Sequence, residues 1–105
     1  MKGFAAAVTM ALALIFIPGC AKKTPEIITI GFMVKFPEEP WFQNEIKGAR
    51  KCAEKYGFKV VDIGARDGDA VLAGIDTFAA QGVKGFVICA PDVRLGPAIM
   101  AKAES

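Results

Sequence analysis

Apolar positions along the chain alternate between short continuous runs and helix-spaced stripes. Residues 27–34, 58–63 and 85–90 are runs rich in Val, Ile and Phe, which is the pattern of buried strands. Apolar side chains at intervals of four and three residues predict a helix over 42–56 that ends at Gly57. Near-continuous apolar strands that alternate with helices are typical of a parallel sheet with right-handed crossovers. The predicted fold class is therefore α/β and Rossmann-like.

Two further helices complete three predicted strand–helix (βα) units. The second helix ends at Gly82, and we expect Asp69 to cap its amino end. Its apolar face comprises Val71, Leu72, Ile75, Phe78 and Ala79. The third helix is predicted to begin near Pro97, where proline suits the first turn. Three strands are too few for a complete doubly wound domain, so we expect residues 27–105 to be the truncated N-terminal part of one.

The start of the chain has the pattern of an export signal. A positively charged start precedes an apolar run over 4–17, which is shorter than the roughly 20 residues of a membrane-spanning helix. A signal peptide over 1–19 is therefore predicted, followed by a polar tether over 20–26. The Ile-Pro-Gly-Cys sequence that ends at Cys20 resembles a bacterial lipobox, which implies lipidation of this cysteine. The alternative is an ordinary secretory signal, with Cys20 incidental.

Composition narrows the classes of partner and chemistry. The sequence has 13 basic residues, 11 acidic residues and no histidine. This balance argues against nucleic acid as a partner, because nucleic acid requires a clustered basic face. Histidine is the commonest general base and metal ligand, and no phosphate loop, nucleophile elbow or Cys-x-x-Cys motif occurs. We expect a protein that is not an enzyme and needs no metal or cofactor, with Cys52 and Cys89 as buried free thiols.

The candidate chemistry lies directly after the first predicted strand. The segment 35–42, Lys-Phe-Pro-Glu-Glu-Pro-Trp-Phe, places a cation, two carboxylates and an indole between two prolines. In open α/β sheets, ligands bind at the carboxyl ends of the strands. A flat ring can cover the C–H face of a sugar while charged groups hydrogen-bond its hydroxyls. The segment therefore favours a sugar site. Asp92 follows the third strand at the same predicted edge, where it either binds a ligand or caps a turn.

Four segments of the chain resemble the periplasmic sugar-binding proteins of bacterial ABC importers. They are residues 30–35, 37–43, 75–92 and 95–99. The Pro-Glu-Glu-Pro-Trp-Phe block resembles the arabinose-binding branch, whereas Gly-Val-Lys-Gly-Phe-Val-Ile occurs widely among type I periplasmic binding proteins. The resemblance implies the N-terminal part of a type I periplasmic-binding-protein domain, in a hinged two-domain receptor that closes on a monosaccharide.

The same resemblance implies roles for particular residues. The implied ligand-binding residues are Lys35 and Glu39 on sugar hydroxyls, Trp41 against the sugar ring, Phe42 in the pocket wall and Cys89 close to the sugar. On residue type alone, Lys35 and Glu39 would be surface charges. Trp41, Phe42 and Cys89 would be packing residues. Glu38 matches no contact position and is expected to be a surface charge. Phe36 stands where the resemblance leads us to expect a polar residue.

The resemblance also implies partners and location. The expected function is capture of L-arabinose or a similar aldose for an ABC permease in the inner membrane. The expected location is the periplasm or cell envelope, with a lipid anchor if Cys20 is modified. A sugar sensor for chemotaxis or membrane signalling is the first alternative, and an exported α/β enzyme is the second. A neighbouring permease gene would favour transport, and turnover of a sugar would favour the enzyme.

Overall fold

Three parallel strands, each followed by a helix, form the fold in the computed structural model, which describes residues 19–20 and 22–105. The strands are β1 Thr29–Val34, β2 Lys59–Gly64 and β3 Gly85–Ile88, and the helices are α1 Pro40–Tyr56, α2 Gly68–Ala80 and α3 Gly96–Glu104. The strand order is β2-β1-β3, with β1 parallel to both neighbours. The predicted α/β fold of three strand–helix units is confirmed.

The helix ends follow local sequence signals, with one exception. Gly57 ends α1 in the left-handed region at φ 75°, and its N–H donates to the Ala53 carbonyl, as predicted. The predicted cap of α2 was wrong, because Asp67 rather than Asp69 accepts a hydrogen bond from the Ala70 N–H at 2.8 Å. Since α2 begins at Gly68, Asp69 lies in the first turn, where its charge favours the positive end of the helix dipole.

One face of the sheet packs against α2 and α3. The buried core on this side comprises Met33, Ala65, Val71, Ile75, Phe78 and Ile99. The Phe78 ring fills the space above Gly31, where an added Cβ would lie 2.7 Å from the ring. Gly31 therefore allows a side chain of the core to pack directly against the central strand.

The opposite face of the sheet packs against α1. Successive residues of a strand point to opposite faces, so Val34 faces away from the core that contains Met33. Val34 is buried, as are Ile46 and Ala53 on the apolar stripe of α1. The stripe ends there, because Tyr56 is exposed. Helices on both faces of a parallel sheet are the arrangement expected for an α/β domain.

Several predictions concern the N-terminal region and the cysteines. The predicted signal peptide lies outside the described residues, apart from Gly19. Residues 22–28 are exposed and have no helix or strand. In the described part of the chain, no helix has the length and apolar character needed to cross a membrane. None of the three cysteines forms a disulfide, and Cys89 is only half-buried. Cys52 is exposed, so its predicted burial was wrong. It lies one position before Ala53, which turns it by about 100° from the buried stripe.

Candidate functional site

The carboxyl ends of the three strands meet at one edge of the sheet, because the strands are parallel. The Ala65 N–H, after β2, donates to the Val34 carbonyl at 2.8 Å. The Cys89 N–H, after β3, donates to the Met33 carbonyl at 2.9 Å. These two hydrogen bonds hold the residues that follow both outer strands beside the end of β1. Lys35, the first residue after β1, therefore leaves the sheet at the centre of this edge.

The loops at this edge are packed closely against one another. An added Cβ at Gly64, the last residue of β2, would lie 2.9 Å from Cγ of Pro37 in the loop after β1. An added Cβ at Gly68 would lie 2.9 Å from Cδ2 of Leu95, in the segment after β3. A larger residue at either position would therefore have to displace the Pro37 ring or the Leu95 side chain. These contacts place the loop after β1 and the segment after β3 against the two ends of the β2–α2 connection.

Phe36 brings two of the predicted site residues together. The Nζ atom of Lys35 lies 5.2 Å from the centre of the Phe36 ring, a distance typical of a cation–π contact. The Phe42 ring, half-buried in the first turn of α1, packs at a tilt with its centroid 6.5 Å from that of Phe36. Phe36, which replaces the expected polar residue, therefore connects the Lys35 ammonium to the start of α1.

Glu39 and Trp41 lie at the amino end of α1. Glu39 occupies the cap position in an extended conformation, yet its side chain makes no capping hydrogen bond. Within residues 22–105, no group donates a hydrogen bond to the Glu39 carboxylate, so its oxygens can accept from a ligand. Trp41 is 77% exposed. With Asn44 and Glu45, three and four residues later on the helix, it lines a surface cavity of about 360 Å³.

Cys89 and Asp92 follow β3 at the same edge and differ in what they can offer a ligand. Cys89 is half-buried beside the end of β1. The Asp92 carboxylate accepts from the Arg94 backbone N–H at 2.9 Å and pairs with its guanidinium. Hydrogen bonds from the Arg94 side chain, and then from its backbone, lower the pKa of the Asp92 carboxyl. Of its two predicted roles, Asp92 therefore takes that of capping a turn.

Arg66 and Glu38 form a contact that sequence reasoning missed. Arg66 lies in the loop after β2, and its guanidinium pairs with the Glu38 carboxylate in the loop after β1. Its Cζ atom also lies 5.3 Å from the centre of the Phe36 ring. Glu38 is exposed, as predicted, but it is held by this pair. The position of Arg66 two residues after β2, at the edge that carries segment 35–42, was the available signal.

Residues 28–105 match the family described as periplasmic binding proteins and sugar binding domain of LacI family. The chain belongs to this family. Over 77 residues it is 57% identical to the "ABC transporter L-arabinose-binding periplasmic protein" of Azospirillum brasilense, covering 73% of this chain and 23% of the relative. Over 78 residues it is 55% identical to the "L-arabinose-binding periplasmic protein" of Escherichia coli (strain K12). This match covers 74% of this chain and 24% of the relative. The chain thus spans about a quarter of the length of these relatives.

These relatives confirm the resemblance seen in the sequence. Both are named as binding proteins rather than as enzymes. The family match over residues 28–105 includes all three strands and the loops that follow them. Neither name describes a sensor, so the comparisons do not favour the signalling alternative. Residues 19–20 and 22–105 contain no group of three or more His, Cys, Asp or Glu residues that could hold a metal ion.

A second groove lies away from the sheet edge. It has a volume of about 590 Å³ and lies between α1 and the outer strand β2. Its lining residues are Pro37, Gln43, Ile46, Lys47, Arg50, Lys51, Glu54 and Asp62. None of the predicted sugar-binding residues belongs to it. Arg50 pairs with Asp62 at 2.5 Å across the groove, and half of its lining residues are exposed charged residues of α1. We therefore assign the candidate ligand site to the sheet edge.

Proposed function

We propose that this protein is a periplasmic receptor that captures a monosaccharide, L-arabinose or a similar aldose, and delivers it to an ABC permease in the inner membrane. The observation that supports this most directly is the loop after β1. This loop and the first turn of α1 carry an exposed indole and a carboxylate that makes no capping hydrogen bond, and they follow the carboxyl end of the central strand, the edge where α/β sheets bind ligands. The names of both relatives agree with this choice of sugar.

Each residue of the site has a chemical role in this proposal. The Trp41 ring covers the C–H face of the sugar, because an aromatic ring offers a flat apolar surface. The Lys35 ammonium donates to sugar hydroxyls, and the Glu39 carboxylate accepts from them. Phe42 supports this group through its contact with Phe36. Cys89 contributes a small side chain at the end of β3, next to the sugar.

The remaining ligands of the sugar are proposed to lie outside residues 28–105. The matched segment covers about a quarter of each relative, and the sheet edge leaves Trp41 exposed to solvent. A monosaccharide has polar groups around its whole ring, and a binding site normally encloses most of its ligand. We propose that further parts of the receptor close over the Trp41 side of this edge and complete the site.

Titration of the complete receptor with L-arabinose tests the proposed function. We expect calorimetry to give a micromolar or lower Kd, a binding free energy of about −8 kcal/mol or stronger. Trp41 fluorescence should change in the same titration, because the sugar packs against its ring. Galactose, xylose and ribose are the comparison sugars. The proposal would be rejected if none of the four sugars gave binding heat or a change in Trp41 fluorescence.

We propose that the receptor is exported and that Cys20 is lipidated. Cys20 is exposed and precedes the exposed segment 22–28, which has no helix or strand and would separate an anchored cysteine from β1. Metabolic labelling with a palmitate analogue should label the wild type and not Cys20→Ser, which should also leave the membrane fraction. Cys52→Ser removes another exposed thiol and should stay labelled. An unlabelled wild type would favour the ordinary secretory signal.

A further inference from the structure

Arg66 makes two contacts with the loop that carries the proposed sugar ligands, although it belongs to a different loop. Its guanidinium pairs with Glu38 and also lies over Phe36, with Cζ 5.3 Å from the ring centre. Both partners are within the segment 35–39 that joins β1 to α1. Arg66 therefore ties the β2–α2 loop to the middle of the β1–α1 loop.

The guanidinium group is well suited to making both contacts at once. It is planar, so one face can lie over an aromatic ring while the N–H groups at its rim donate to a carboxylate. Lysine has a compact ammonium that cannot combine these two geometries in the same way. The arrangement at Arg66 thus depends on the shape of arginine as well as on its charge.

The Phe36 ring transmits these contacts to the site. The Lys35 Nζ atom lies 5.2 Å from the ring centre, and the Phe42 ring packs against the same residue. A ring that is held by Arg66 and Phe42 offers the Lys35 ammonium a fixed surface. We propose that Arg66 is a positioning residue, which acts through Phe36 to hold Lys35 in place for the sugar. This inference rests on the proposed sugar-binding function.

Arg66→Met in the complete receptor tests the inference by calorimetry with L-arabinose. We expect the Kd to rise about fivefold, the order expected when one exposed cation–π contact and its ion pair are lost. Arg66→Lys keeps the charge and should recover only part of the affinity. Arg50→Met is the matched control, because Arg50 is equally exposed and pairs with Asp62 between α1 and β2, away from the site. Its Kd should equal that of the wild type.

A double-mutant cycle with Lys35→Met distinguishes positioning from a general loss of stability. In the Lys35→Met background, Arg66→Met should have little further effect on the Kd, because the residue that it positions is gone. Equal fold-changes in both backgrounds would overturn the inference. Sugar binding by the wild type with an unchanged Kd in Arg66→Met would also overturn it, while leaving the proposed function intact.

A measurement without sugar keeps the inference testable if the wild type binds none. In the NMR spectrum of the lysine-labelled receptor, the ε-methylene protons of Lys35 should be shifted upfield by the Phe36 ring current. The shift should disappear in Phe36→Leu and shrink in Arg66→Met, and it should persist in Arg50→Met. An unchanged shift in Arg66→Met would show that Arg66 does not position Lys35.

Discussion

Replacing Phe78 by alanine is expected to lower the free energy of unfolding by about 3–5 kcal/mol. Phe78 is 1% exposed in the core between the sheet and α2. Its ring occupies the space that Gly31 leaves open and stacks on Phe86 with centroids 6.2 Å apart. Alanine removes the apolar surface and leaves a cavity over the central strand, which the neighbouring side chains cannot fill without distortion.

Chemical denaturation of the complete receptor, followed by circular dichroism, measures this loss. Tyr56→Ala is the matched control, since it removes an aromatic ring that is 68% exposed on α1. We expect this control to change the free energy of unfolding by less than about 0.5 kcal/mol. Phe78→Leu should give an intermediate loss. A loss in Phe78→Ala no larger than that in Tyr56→Ala would contradict the assigned core.

Replacing Trp41 by alanine is expected to weaken L-arabinose binding by about 1–3 kcal/mol, the order for loss of an aromatic anchor. Trp41 contributes little to the core, because most of its side chain is exposed in the first turn of α1. The substitution should therefore reduce affinity without a comparable loss of stability. On residue type alone, Trp41 could also be a packing residue at the start of a helix. A loss of affinity without a loss of stability distinguishes a ligand-binding ring from that alternative.

Calorimetry of the complete receptor measures the effect, since Trp41→Ala removes this fluorophore. Trp41→Phe keeps a flat ring and should retain more affinity than Trp41→Ala. Tyr56→Ala removes an exposed ring at the far end of α1 and should leave the Kd unchanged. An unchanged Kd in Trp41→Ala, with sugar binding intact, would remove this residue from the site.

Most element boundaries could be predicted from the sequence because their causes are local. The strands are apolar runs, α1 has an apolar stripe at helical spacing, and Gly57 ends it in a conformation that glycine adopts readily. The error in the predicted cap of α2 arose because two residues of the same type lie close together at the start of this helix. Asp67 and Asp69 can both cap a helix, and only the path of the backbone decides that Asp67 does so.

Burial was harder to predict than secondary structure. Cys52 is a residue type that is usually buried, but its position on α1 turns it away from the sheet. Gly31 lies in the central strand, and the sequence could not show that the Phe78 ring packs directly over it. These outcomes depend on which helix face meets which sheet face, and residue type alone does not specify that contact.

The sequence by itself determined the α/β class and the candidate chemistry, because segment 35–42 follows a strand directly and parallel strands end at one edge. Only the tertiary structure decided how that segment is held. Arg66 and Glu38 are separated by 28 positions, and they meet because β1 and β2 are neighbours in register, so that the loops after them share one surface. Contacts of this kind follow from the pairing of strands, which no local pattern of residues encodes.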